Sequence, residues 1–164
     1  REASDAWRYY TQAFGRLPIG DADVVLAEVE RAHVAGSTFF LSPALPADSV
    51  RVAVARVWWG ETVRFVGSGA RWLDAALPAW AALAFRAATE GDSVGQRLVR
   101  LAEVTGQPLA GLEAARRAVG DASFRVAIRT LFLEHRRRPA AVADLLALLG
   151  PDGSVAAIPR PDDR

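Results

Sequence analysis

The chain has 164 residues and contains neither cysteine nor methionine. Without thiols it forms no disulfide, no Cys-bearing zinc site, no iron–sulfur cluster and no thiolate nucleophile, and cysteine usage leaves its redox compartment open. Lysine is missing too: all twenty basic residues are Arg. Histidine is scarce, with only His33 and His135. The apolar stretch over residues 75–85 is eleven residues long and contains Pro78, which is too short for a bilayer, so no membrane partner is expected. Nothing near Arg1 has the basic, apolar, small-residue order of a signal peptide, and a cytoplasmic location is expected.

What is present suits one folded domain. About half of the residues, 51%, are apolar, enough to build a core without covalent staples. The net charge is +1 but unevenly spread. Residues 97–138 carry nine Arg against four acidic residues, whereas residues 1–96 carry nine against eleven. Guanidinium forks bind phosphate well, which points to nucleic acid. A GC-rich genome that writes Arg for Lys throughout accounts for the same composition without any such role.

Periodicity divides the chain. A first helix is signalled by Ser4 as a cap and by Trp7, Tyr10 and Phe14 at helical spacing, ending at Gly15 and Pro18. Residues 21–32 read as a helix capped by Asp21 or, since Val25, Ala27 and Val29 alternate, as a strand. STFFLS at residues 37–42 reads as a strand, and SVRVAVARVWW alternates with Val50, Val52 and Val54 on one face. A hairpin of residues 50–58 with residues 62–66, turning at Gly60-Glu61, is expected. Helices are expected from residue 70 onward, including one opening at Pro78, one over residues 92–106, and three in PLAGLEAARRAVG, DASFRVAIRTLFLEHRRR and PAAVADLLALLG. The expected fold is therefore α+β: a small antiparallel sheet at about residues 37–66, packed by helices, with a helical C-terminal half. Residues 1–157 form the single domain and 158–164 a flexible tail, with SVAAI as a possible edge strand.

The catalytic signals are few. There is no H-E-x-x-H, no G-x-S-x-G elbow and no EF-hand loop. His135 closes a basic helix, where the helix dipole explains a cation. No metal site, catalytic residue or cofactor is expected, and an enzyme using dispersed carboxylates ranks third among the functional readings. Gly67-Ser68-Gly69 lies between an expected strand and an expected helix, the context of a phosphate cradle. Trp72 stands where the dinucleotide fingerprint needs its third glycine, and the P-loop Lys is missing. The corner reads as two glycines at unusual φ with Ser68 as cap.

Two helices around Gly120 resemble the general helix-turn-helix motif over about 40 residues. On that reading Arg116, Arg117, Ser123, Arg125, Arg129, Arg136, Arg137 and Arg138 meet base edges or phosphates. Arg116 departs from the motif, which wants a small residue where the helices cross. The leading expectation is a non-enzymatic regulatory protein of bacterial type that contacts nucleic acid. The alternative is a small-molecule- or protein-binding module, or a homodimer, with Trp58, Trp59, Trp72 and Trp80 lining an apolar pocket or interface. Adjacent residues in a strand face opposite ways, so Trp58 and Trp59 are not both expected in one core.

Overall fold

A computed structural model describes residues 1–18, 22–91, 96 and 108–150. The expected helix over residues 92–106, the tail at 158–164 and the SVAAI strand lie outside the described residues, apart from Gln96.

The first helix, α1 (Glu2–Phe14), starts at Glu2 with Arg1 as its flanking residue, so Ser4 lies inside it and is no cap. Tyr10 and Phe14 are buried at the expected spacing. Three short strands follow: β1 (Asp23–Leu26), β2 (His33–Ala35) and β3 (Thr38–Leu41). Of the two readings of residues 21–32, helix or strand, the strand is the one found, over Asp23–Leu26. The strand order is β1-β3-β2, with β1 parallel and β2 antiparallel to β3, so the sheet is mixed and lies earlier in the chain than expected. Strand β3 turns Phe39 and Leu41 into the core. Across the antiparallel pair, His33 stacks on its register partner Phe40 with ring centroids 4.6 Å apart.

SVRVAVARVWW is not a strand. Its first part forms α2 (Ala47–Ala55), entered through Pro46 and with Asp48 in the first turn. Alternating Val and Ala satisfy a period of two, but Val50, Ala53, Val54 and Val57 also recur at helical spacing and are all buried, with α1 and the helix over Ala70–Glu90 packed against this segment. Packing on two helices overrides the β-branched propensity. The expected hairpin is replaced by a tight reversal: Trp59 N–H donates to Ala55 O (3.0 Å), Gly60 N–H to Val63 O (2.9 Å) and Val63 N–H to Trp58 O (3.0 Å). Gly60 holds φ 128°, and a Cβ there would stand 3.3 Å from an Asp74 carboxylate oxygen.

Helix α3 (Ala70–Glu90) runs straight through Pro78, which therefore does not open a second helix. Proline at 78 leaves the Asp74 carbonyl without its i+4 donor, yet Leu73, Ala76, Leu77, Trp80 and Ala81 form one buried face across the site, and this packing carries the helix past it. Helices α4 (Pro108–Val119), α5 (Asp121–His135) and α6 (Val142–Leu149) complete the helical C-terminal half. Helix α6 begins three residues beyond Pro139, with Ala141 flanking it and donating its N–H to the Asp144 carboxylate at 2.7 Å. Residues 64–66 are stitched to this half by Val66 N–H to Ala140 O and Ala140 N–H to Arg64 O, both 2.9 Å. The class is α+β, with one hydrophobic cluster joining residues of α1, β3, α2, α3, α4, α5 and α6.

Candidate functional site

The arginines of α4 and α5 are distributed over separate tasks. Arg116 donates to both oxygens of the buried Glu113 (Nε at 3.0 and 2.9 Å) and to Asp121 (3.0 Å). Arg117 lies 3.7 Å from the same Glu113. Arg125 pairs with Asp121 at 2.7 Å. Arg129 donates to the Gln12 carbonyl at 2.9 Å, neutralising the C-terminal end of α1 across 117 residues of sequence. Arg138 donates to the Glu134 carbonyl at 3.1 Å. Ser123, Arg136 and Arg137 are exposed, and the two arginines enter no ion pair among the described residues. The expected phosphate contacts therefore do not form one open row of cations, because most of the guanidinium groups already serve carboxylates or carbonyls of this chain.

Electrostatics follow from that pairing. The Arg116 guanidinium is held well above its ordinary pKa, chiefly by its hydrogen bonds to Glu113, against the opposing effect of burial. Burial would raise Asp121, but hydrogen bonds from Arg125 and Arg116 reverse this and leave it below the usual carboxylate value.

The four tryptophans expected at a pocket or interface are placed in or beside the core. Trp58, Trp59 and Trp80 are buried in the core, while Trp72 is half-buried at its margin. Trp58 and Trp59 enter one core together because the chain there leaves a helix instead of extending as a strand. Trp58 packs edge-on to Trp7 at 4.9 Å and donates its indole N–H to Gly15 O at 3.0 Å. Trp59 packs against Phe14 and Phe132, and its indole N–H meets no acceptor among the described residues. Trp80 meets Phe124 at 5.0 Å.

At the Gly-Ser-Gly corner, Gly67 and Gly69 take φ 77° and 79°, as the corner reading requires. Gly69, not Ser68, flanks α3, and no side chain caps that end.

The sequence reading missed a cluster of charges linking α1, α2 and α3. Arg51, only 8% exposed, bonds Glu2 (2.5 Å), Asp48 (2.9 Å) and Glu90 (3.0 Å) and lies over the Phe85 ring. Arg86 closes the arrangement on Asp48 and Glu90, both at 2.8 Å. Burial alone would lower the Arg51 pKa; the hydrogen bond and charge of Glu2, reinforced by Asp48 and Glu90, raise it instead. The Arg86 hydrogen bond holds Glu90 below the usual carboxylate range. The i, i+4 spacing of Arg86 and Glu90 was the available signal. The role of Arg51 was hidden by reading its segment as a strand.

The sequence matches no family profile, and no curated protein is similar enough to count as a relative. Solved structures do resemble it. An M1 zinc metallopeptidase from Deinococcus radiodurans matches 95% of this chain with a TM-score of 0.79 at 19% identity, over 41% of its own length. A mutant of the Deinococcus radiodurans M1 zinc metallopeptidase bound to the substrate Tyr-Ser-Ala matches 95% of the chain and 41% of its own (TM-score 0.78, 20% identity). A two-domain M1 zinc metallopeptidase mutant bound to L-tryptophan gives 0.75 and 21% with the same coverage, 95% and 41%. This chain has the fold of part of those metallopeptidases. It spans about two-fifths of their length.

Zinc in metallopeptidases is held by histidines and carboxylates, typically by two His one helical turn apart and a further ligand. Among the described residues the donors do not fit that pattern. His33 sits on β2, stacked on Phe40, and His135 closes α5 with its Nδ1 2.7 Å from Pro139 O. One turn before His135 stands the buried Leu131. Among the described residues no group of three His, Asp or Glu is placed to hold a metal ion. No described helix is long and apolar enough to cross a membrane.

Proposed function

We propose that this chain is a peptide- or protein-binding module on a metallopeptidase-type scaffold. The observation that carries the reading is the match of 95% of the chain to M1 zinc metallopeptidases, one of which holds the peptide Tyr-Ser-Ala. The intramolecular pairing of Arg116, Arg117, Arg125 and Arg129 supports it over the nucleic-acid reading, since a phosphate would have to displace a carboxylate or carbonyl already in place. The test is titration of the 15N-labelled chain with Tyr-Ser-Ala, following backbone amide shifts. Saturable shifts with a Kd between about 1 μM and 1 mM are expected. The absence of any shift at about 5 mM peptide, well above that range, overturns the reading.

Nucleic-acid contact is the second reading, favoured by the exposed Arg136 and Arg137 beside Arg138 at the end of α5. Binding to a duplex should then weaken steeply between about 50 and 200 mM salt, because phosphate neutralisation releases counterions. No binding at the lower salt removes this reading.

A further inference from the structure

We infer that this chain's share of the metallopeptidase scaffold is metal-independent: guanidinium groups, not a metal ion, hold its clustered carboxylates. The inference rests on the fold and the donor chemistry and stands whether or not the chain binds peptides.

A hard or borderline cation at such a fold needs several carboxylate or imidazole donors converging with lone pairs to spare. Here the convergent carboxylates are occupied. Glu2, Asp48 and Glu90 surround Arg51 and Arg86, a cluster of three negative and two positive charges in which each ion pair closes to 3.0 Å or less. Glu113, nearly fully buried, is enclosed by Arg116 and Arg117, and Asp121 by Arg116 and Arg125. A guanidinium does for these carboxylates what a cation would do, supplying opposite charge and directed donors. It is covalently tethered and cannot be lost to a chelator or to low metal concentration. The imidazoles offer no competing set: His135 has one ring nitrogen on a backbone carbonyl and the other 4.0 Å from Asp144, while His33 lies on the sheet.

The test combines metal binding with stability. The purified chain is dialysed against a chelator, titrated with ZnCl2 by calorimetry, and melted with EDTA or with about 0.1 mM zinc. A metal present at 100 times its Kd would raise the Tm of a chain this size by roughly 5–10 °C. The expected result is no stoichiometric zinc uptake and a Tm that differs by less than about 2 °C between zinc and EDTA. One equivalent of zinc that survives dialysis against buffer, or a rise of more than about 3 °C, overturns the inference whichever residues supply the donors. Arg51→Ala and the more exposed Arg86→Ala test the positive half. Both should lower the Tm, and zinc should restore neither; a Tm unchanged in Arg86→Ala, or restored to the wild-type value by zinc, overturns it as well.

Discussion

The Glu113 carboxylate, almost fully buried in α4, accepts two hydrogen bonds from the Nε of Arg116, one turn away on the same helix, at 3.0 and 2.9 Å. Removing the arginine leaves a buried charge without its main partner. Arg116→Ala is expected to destabilise the fold by about 2–3 kcal/mol. Arg117→Ala, whose head is more exposed, should cost less than about 1 kcal/mol. Urea unfolding of the two variants checks the order, and equal midpoints would contradict it.

The paired tryptophans offer a second comparison. Trp58 donates to Gly15 O, whereas the Trp59 indole N–H has no acceptor among the described residues. Both phenylalanine replacements remove similar ring area, but only Trp58→Phe strands a buried carbonyl. It should be more destabilising than Trp59→Phe by about 1–2 kcal/mol, measured by thermal or urea denaturation.

Acid should weaken the charge clusters. Glu90 and Asp121 both titrate below the usual carboxylate range, the first because of the Arg86 hydrogen bond, the second because Arg125 and Arg116 overcome its burial. A carboxylate lowered in the folded state contributes stability that is complete above its unfolded pKa, about 4, and is lost as pH falls through the folded value. Urea midpoints should stay level from about pH 7 to 5 and fall below about pH 4. Asp121→Asn should be less stable at pH 7 and show a shallower fall.

Strand β1 is an open edge of the sheet, with Val24, Val25 and Leu26 at 52%, 40% and 70% exposure. Its partner β3 is inserted in the core through Phe39. Leu26→Lys should therefore change stability by no more than about 0.5 kcal/mol, and by charging an apolar edge it should lower any concentration-dependent light scattering. Phe39→Ala should cost about 3–5 kcal/mol. A large loss in Leu26→Lys would show that β1 is covered.

Much of the helical half was legible from residues alone. Phe124, Ile128, Leu131 and Phe132 recur at a spacing that only a helix satisfies, and all four are buried. Gly120 and Gly150 stand at the boundaries that sequence assigns them, both at positive φ. The composition likewise excluded every thiol-based chemistry, and its two histidines, His33 and His135, lie too far apart in sequence to form the i, i+4 pair of the helical zinc motif.

Only the tertiary structure decided the rest, wherever a residue pattern satisfied two periods or depended on distant partners. Residues 50–57 alternate and also repeat at helical spacing, and burial between α1 and α3 selected the helix. Pro78 looked like a beginning and is an interior residue because the buried face continues through it. The arginines looked like phosphate ligands, and their charge is a property of sequence. Whether a guanidinium faces solvent or a carboxylate of the same chain depends on which elements fold beside it, as Arg51 finds Glu2 across 49 residues and Arg129 finds Gln12 across 117.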